Sequence, residues 1–442
     1  MRPSTARDPP QTTAPKQNPY PAASRVLIVL SLVLPVALAI ISISVAPQAL
    51  PHRLQSSIIR ISQSICTSKR VGFICTPGYR RVIISRTMAT TSGLPFANER
   101  RIAELAVQRA AILTKAVYNS KVKGTVQKDD KSPVTIADFG AQSLVFASLY
   151  KSFPDDNIIG EEDSAGLRSN KELSELVFKV VTEAIYSNTT GQSSSSSSEL
   201  GDINNEAEML DFIDKGSCTD SGKGRVWVLD PIDGTKGFLR GGQYAIALGL
   251  MVDGIVQVGV LGCPNLGQEG GVLLSAVKGQ GTVVRPLSSD FSTLPDPSRV
   301  TMNPITSSSD ATFCEGVESG HSNHDIQAKI AKGLGITKPS VRMDSQAKYA
   351  ALALGQAEIY LRLPRTMDYE ENIWDHAAGA LVVEEAGGAV FDMYGNKLDF
   401  TTGRSFKKNK GVIVMGAGIQ EEVVRVVSEV AVEAYGTWKS SL

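Results

Sequence analysis

The sequence predicts a mixed α/β (α+β) fold built of layered sheets and helices, and three observations lead there. Apolar residues recur at helical spacing from about Ala97 to Val122, glycine-bounded apolar strand runs dominate residues 225–276, and strands alternate with helices from about Cys263 onward. Each helix or sheet so patterned has one apolar face that must be covered by another layer. No internal repeat of roughly 20–50 residues is present, which excludes a solenoid.

Taken in chain order, the first helix carries Ile102, Leu105, Ala106, Ala110, Ile112, Leu113 and Val117. A second helix is predicted after Asp138, with Phe139, Leu144, Val145, Ala147, Leu149 and Tyr150. Phe153-Pro-Asp-Asp then turns the chain into a short strand, Asn157–Gly160. Residues 163–224 hold a predicted helix, Lys171–Tyr186, followed by an Asn/Ser/Gly-rich tract around the run Ser193–Ser198. The tract reads as a surface insertion, about 187–222. Strands follow at Arg225–Leu229, Tyr244–Val252, Ile255–Leu261 and Gly271–Ala276, and Asp253-Gly254 has the chemistry of a two-residue hairpin turn. Helices are predicted near Asp325–Leu334, Ala347–Leu354, Trp374–Ala386 and Gln420–Tyr435. The sequence divides into an N-terminal extension, 1–88, a first subdomain, 89–262, and a second, 263–442.

The formal net charge of zero hides an asymmetry. Up to Met88 there are eleven Lys or Arg against one acid, Asp8, so the remainder carries a net charge of −10. An acidic body excludes a nucleic-acid wrapping surface. The five cysteines form no CxxC pair and only four histidines occur, which argues against zinc and disulfide frameworks and for a reducing, cytosolic body. Residues 26–46 are a 21-residue uncharged apolar run followed by a basic, acid-free stretch. Three readings are open for it: a membrane-anchoring helix, a cleaved signal or organelle-targeting segment, or sequence upstream of a true start at Met88.

Three short segments carry the chemistry. Gly160-Glu161-Glu162-Asp163 places acids just after a strand. In Trp227–Phe238 an apolar strand runs into Asp230, Pro231 bends it, and Asp233-Gly234-Thr235 opens a following helix. Asp230, Asp233 and the Ile232 carbonyl offer the oxygen ligands that Mg²⁺ requires, and the N–H groups of Gly234 and Thr235 suit a phosphate oxygen. The third is Trp374-Asp375 at a predicted helix start, where Ala377, Ala378 and Gly379 permit close backbone approach. Singly each is unremarkable, since an acid before a helix is commonly a cap. Together and in this order they are specific.

These segments resemble the lithium-sensitive, magnesium-dependent phosphatases of the inositol monophosphatase and fructose-1,6-bisphosphatase superfamily. The resemblance covers roughly residues 98–430. Within it the chain looks most like the 3′(2′),5′-bisphosphate nucleotidases, on the segments Asp130–Asp138, Asp230–Gly241, Gly320–His324, Asp344–Lys348 and Tyr360–Pro364. The resemblance implies a layered α/β/α/β/α sandwich of two subdomains with the site between them, two or three Mg²⁺ ions, and inhibition by Li⁺. It implies that Glu161, Asp230 and the Ile232 carbonyl hold one ion, and that Asp230, Asp233 and Asp375 hold a second. Asp138 and Thr235 would orient and deprotonate the attacking water. Gly234, Thr235, His321, Ser345, Lys348 and Arg362 would contact a small nucleotide substrate, with Lys348 and Arg362 on its second phosphate. Adenosine 3′,5′-bisphosphate is the implied substrate, with 3′-phosphoadenylyl sulfate a further one, and a link to sulfur metabolism and salt tolerance follows. The alternatives are an inositol (poly)phosphate 1-phosphatase on the same scaffold, and a membrane-anchored non-catalytic scaffold protein. A monomer is the default.

Overall fold

The computed structural model describes residues 93–120, 125–127, 133–186, 199–267, 270–290, 292–317 and 324–438. The apolar run 26–46, the serine run and His321 lie outside the described residues. Among the described residues, no helix is long and apolar enough to cross a membrane.

The elements run in the order α1 (Ala97–Asn119), β1 (Thr125–Gln127), β2 (Pro133–Thr135), α2 (Ile136–Ser152), β3 (Asn157–Gly160), α3 (Ala165–Arg168), α4 (Lys171–Tyr186) and α5 (Glu206–Asp214). Next come β4 (Arg225–Asp233), α6 (Thr235–Arg240), β5 (Ala245–Val252), β6 (Ile255–Cys263), β7 (Val272–Val277), β8 (Gly281–Pro286) and β9 (Ser298–Val300). The chain ends with β10 (Phe313–Glu315), α7 (His324–Gly333), β11 (Val341–Arg342), α8 (Ala347–Ala353), β12 (Ile359–Arg362), α9 (Ala377–Glu385), β13 (Gly388–Phe391), β14 (Val412–Gly416) and α10 (Gln420–Tyr435).

Two sheets organise these elements. A seven-stranded sheet has the order β3-β4-β5-β6-β7-β8-β9, and a five-stranded sheet the order β11-β10-β12-β14-β13. Strand alternation assigns the faces. Trp227, Leu229, Ile246, Leu248 and Leu250 of the first sheet pack with α1, α2 and α4, while Val226, Val228, Ala245, Ala247 and Met251 face a core shared with α8 and α9. Tyr360, Val390, Val412 and Val414 of the second sheet close that same core, and Ile359, Leu361, Ile413 and Met415 turn outward onto α7 and α10. The result is the five-layer α/β/α/β/α sandwich. The first sheet runs on to Val300, beyond the Cys263 at which the sequence reading divides the halves.

Three local readings change. Pro231 does not end its strand: β4 continues to Asp233, with pairing to β5 interrupted between Asp230 and Asp233. A proline without an N–H is accommodated in the sheet by that irregularity. Asp375 does not begin the long helix but sits in a 3₁₀ turn, Ile373–Asp375, two residues before α9. Part of the presumed surface insertion is core: α5 buries Met209, Leu210, Phe212 and Ile213 and is capped by Asn205, whose side chain accepts from the Glu208 N–H.

The small residues of α9 do what their size suggests. A Cβ on Gly259 of β6 would lie 2.7 Å from the Ala378 carbonyl oxygen, so helix and sheet approach to near backbone contact. The hairpin at Asp253-Gly254 forms with both residues at positive φ, 50° and 75°, as a type I′ turn requires.

Candidate metal and phosphate site

The acids converge because of strand order. β3 and β4 are parallel neighbours with Gly160 opposite Leu229, so Glu161 and Asp230 leave the sheet side by side. The Glu161 N–H donates to the Leu229 carbonyl across 3.2 Å. The interruption after Asp230 brings Asp233 to the same end of the strand, and the Ile232 N–H donates to Asp230 Oδ1 across 3.1 Å. The Ile373–Asp375 turn packs against β4 and adds Asp375 from the second half of the chain.

These carboxylates feel one another. Burial, reinforced by Glu161, Asp233 and Asp375, pushes Asp230 well above the usual carboxylate range. Burial likewise raises Asp375, with Arg362 opposing it and Asp233, Glu371 and Glu161 adding to it. Burial raises Asp233 too, against the pull of Lys348 and Arg362. Clustered buried acids of this kind take up cations or protons. An all-oxygen donor set of four carboxylates and the Ile232 carbonyl fits hard Mg²⁺ ions.

A tighter knot lies beside it. Glu371, Asp375 and His376 bring potential ligand atoms within 4.8 Å of one another. A cation already serves this knot: Arg362 Nε lies 2.6 Å from Glu371 and its Nη2 3.0 Å from Asp375. His376 Nδ1 is shared with the Tyr349 hydroxyl at 2.7 Å, and burial lowers the pKa of this imidazole. The knot is therefore an ion-pair network that holds Asp375 from behind.

On the other side stands Asp138, buried in the first turn of α2. Its Oδ2 accepts from the N–H and the hydroxyl of Thr135 at 2.8 and 2.6 Å, closing a capping box. Its Oδ1 remains directed at Thr235 Oγ1, 3.5 Å away, and that hydroxyl also reaches the Ile232 carbonyl at 3.2 Å. One side chain thus caps a helix and faces the site.

Gly234 has φ 88°, and a Cβ there would come within 2.8 Å of Ser345 Cβ. Ser345 itself adopts φ 67°, which turns the 344–346 bend toward Asp233. Lys348 is buried with its ammonium 5.0 Å over the Tyr360 ring; burial lowers its pKa and Asp233 opposes the shift. Every predicted site residue that is described lies in this one region.

Other residues support the site: Gln346 lies within the Asp344–Lys348 segment, whereas Gln142 and Arg404 lie in no segment that the sequence singles out. The Gln142 side chain on α2 clamps Glu162, donating to its carbonyl at 2.7 Å and accepting from its N–H at 3.1 Å. The Gln346 N–H donates to Asp233 Oδ2 at 2.7 Å. Arg404 donates to the Gly160 carbonyl at 2.5 Å and lies 4.7 Å over the Trp374 ring, so it touches the residues preceding Glu161 and Asp375.

Comparison with known proteins agrees with this geometry. Residues 97–430 match the inositol monophosphatase family. The chain is 50% identical over 357 residues to a 3′(2′),5′-bisphosphate nucleotidase of Emericella nidulans, covering 76% of this chain and 99% of that protein. It is 47% identical over 350 residues to a 3′(2′),5′-bisphosphate nucleotidase of Schizosaccharomyces pombe, covering 76% and 97%. Among solved structures, the Thermotoga maritima IMPase shares the fold with a TM-score of 0.51 at 21% identity, over 76% of this chain and 99% of that one. The chain belongs to the inositol monophosphatase family.

Proposed function

We propose that this chain is a Mg²⁺-dependent phosphomonoesterase that removes the 3′-phosphate from nucleoside 3′,5′-bisphosphates, converting adenosine 3′,5′-bisphosphate and water into AMP and phosphate. The observation that carries the chemistry is the convergence of Glu161, buried Asp230, Asp233 and Asp375, from both halves of the chain, at the end of β4. The choice of substrate is supported by relatives of 41–50% identity that bear the nucleotidase name.

Glu161, Asp230 and the Ile232 carbonyl would hold one Mg²⁺, and Asp230, Asp233 and Asp375 a second. Bound there, the ions would lower the pKa of water and neutralise charge building on the phosphoryl oxygens. The chain's own contribution is proton management and alignment. Asp138, fixed by Thr135, draws the Thr235 hydroxyl proton toward itself, which leaves the Thr235 oxygen to accept a hydrogen from the attacking water. The N–H groups at Gly234 and Thr235 would receive a phosphate oxygen, and Ser345, Lys348 and His321 would contact the nucleotide. No covalent phosphoenzyme is required, because no nucleophilic side chain is needed to attack phosphorus.

The test is phosphate release by the full-length protein with Mg²⁺, comparing adenosine 3′,5′-bisphosphate with inositol 1-phosphate. Preference for the nucleotide, lost in Asp233→Asn and suppressed by millimolar Li⁺, supports the proposal. Faster turnover of inositol 1-phosphate would overturn the substrate assignment, and inactivity on both would overturn the enzyme itself.

A further inference from the structure

We propose that Arg404 is a positioning residue for the metal centre, which fixes the chain end bearing Glu161 against the turn bearing Asp375. The inference rests on the Mg²⁺ reading above, in which those two carboxylates belong to different ions.

The main chain around Arg404 is fastened to the second half of the site. The Ile373 N–H donates to the Arg404 carbonyl at 3.0 Å, and the Phe406 N–H donates to the Glu371 carbonyl at 2.9 Å. Between them Asn372 and Ser405 form an antiparallel bridge. Residues 404–406 are thus laid along the segment that enters the Ile373–Asp375 turn. The side chain crosses to the first half. Its Nη2 donates to the Gly160 carbonyl at 2.5 Å, and its Nη1 to the Gly216 and Cys218 carbonyls at 3.0 and 3.4 Å. On the way the guanidinium passes 4.7 Å over the Trp374 ring. One residue therefore holds the immediate neighbours of both Glu161 and Asp375.

The acceptors are gathered before the arginine arrives. The Gly160 N–H donates to the Gly216 carbonyl at 2.9 Å, and the Cys218 N–H to the Ile158 carbonyl at 3.2 Å. A Cβ on Gly216 would lie 2.9 Å from the Gly160 nitrogen, so two backbones meet there with no room for a side chain. Only a planar fork of donors can serve several carbonyls at once; an ammonium would reach part of the set. The loop that carries Arg404 is clasped to the same segment a few residues on. Ser221 Oγ donates to the Phe400 carbonyl at 2.6 Å and accepts from the Gly403 N–H at 2.9 Å.

The choice of acceptors suits a metal centre. Arg362 pairs with the Asp375 carboxylate itself, and so shares a ligand oxygen's charge with any ion bound there. Arg404 makes no ion pair among the described residues; its hydrogen bonds end on main-chain carbonyls. It fixes the backbone behind Glu161 without occupying the carboxylate that would meet Mg²⁺. Outer contacts of this kind orient the ligands of a metal and tune its affinity.

The experiment is calorimetric titration of the full-length, EDTA-stripped protein with Mg²⁺, alongside steady-state kinetics on adenosine 3′,5′-bisphosphate. Arg404→Met keeps the length of the side chain and removes its donors, and should weaken Mg²⁺ binding about 10–100-fold. KM for the nucleotide at saturating Mg²⁺ should change little. Arg404→Lys should recover part of the Mg²⁺ affinity. Ser221→Ala, which loosens the loop and leaves the arginine in place, should shift Mg²⁺ affinity in the same direction by less, and it keeps the test open if Arg404→Met does not fold. Urea unfolding in EDTA separates a merely structural role: variants that lose stability while the folded protein binds Mg²⁺ as tightly as the parent would overturn the inference. A lysine variant no better than the methionine one would overturn it too. Absence of Mg²⁺ binding by the unsubstituted protein would overturn the metal reading itself, and this inference with it.

Discussion

The main-chain N–H of Gln346 donates to Asp233 Oδ2 across 2.7 Å, while the side chain of the same glutamine, 1% exposed, bridges the two segments around Asp375. Its Nε2 donates to the Trp374 carbonyl at 2.8 Å, and its Oε1 accepts from the Gly379 N–H at 3.1 Å. One residue therefore couples Asp233 at the end of β4 to the turn and helix on either side of Asp375. Gln346→Leu keeps the main-chain donor and most of the volume but removes both side-chain bonds. The outer-shell character of these bonds predicts a loss of about 10–100-fold in apparent Mg²⁺ affinity, with substrate KM at saturating Mg²⁺ much less affected. A Mg²⁺ titration of the rate, paired with calorimetric Mg²⁺ binding, checks this. An unchanged Mg²⁺ dependence would show that Gln346 is only a packing residue.

Arg362 makes a different kind of link. It is a largely covered cation, 15% exposed, facing buried Glu371 and the 14% exposed Asp375; pairing outweighs burial and holds its pKa well above the usual value, and it lowers that of Glu371. Replacing it with Met leaves both acids without their cation, and breaking a buried pair from one side costs about 3–5 kcal/mol. Arg362→Lys keeps the charge but cannot fork to both acids, so its loss should be smaller. Urea unfolding of the metal-free protein measures both. Equal stability of the Met variant and the parent would remove Arg362 from the role of holding Asp375.

Much of this site was legible in the sequence for a physical reason: Asp230-Pro-Ile-Asp-Gly-Thr235 packs two acids, a bend and a helix start into six consecutive residues. Ligands so close in sequence leave a local signature. Gln142 and Arg404 left none, because each acts on a partner distant in the chain; Arg404 reaches Gly160 from 244 residues away. A lone Gln or Arg carries no pattern until the fold supplies its neighbour. The helix α5 was hidden differently, since the serine run before it lowered the apolar content of the whole tract, although Asn205 and the apolar residues Met209, Leu210, Phe212 and Ile213 mark a short capped helix. The strand through Pro231 was missed because proline normally stops a ladder, and only the interrupted pairing with β5 lets it stay.

The acid cluster makes stability depend on pH in the absence of metal. Asp230 and Asp375 have folded-state pKa values well above their ordinary 3.8, chiefly through burial. A carboxyl whose pKa is raised by folding binds its proton more tightly in the native state. Its contribution is thus fully present below the ordinary value and is lost as pH rises through the raised one. The metal-free protein should therefore lose Tm from about pH 4 upward as these two groups ionise, on top of the changes common to any protein. Saturating Mg²⁺ should reverse that loss at neutral pH, because it binds the ionised form. Asp230→Asn should flatten the EDTA profile and abolish much of the Mg²⁺ rescue. A Tm that follows the same pH curve with EDTA and with Mg²⁺ would contradict the coupling.

The close approach of α9 to the first sheet gives the last prediction, in which two glycines of adjacent strands should behave oppositely. A Cβ on Gly259 would meet the Ala378 carbonyl oxygen at 2.7 Å, a backbone atom that no rotamer change can move. A Cβ on Gly249 would meet the Ala377 methyl at 3.4 Å, which is ordinary contact. Neither glycine has positive φ, so backbone strain does not enter. Gly249→Ala should be close to neutral, because the added methyl fills contact distance without displacing anything. Gly259→Ala must push α9 away from β6 and should cost about 1–3 kcal/mol, the usual penalty of overpacking. Because Asp375 lies two residues before α9, the same displacement should weaken Mg²⁺ dependence in Gly259→Ala and not in Gly249→Ala. Chemical denaturation and Mg²⁺ titration of the pair decide it. Equal behaviour of the two variants would mean that the helix seats on the sheet through its side chains, and that the small residues at its start do not set the position of Asp375.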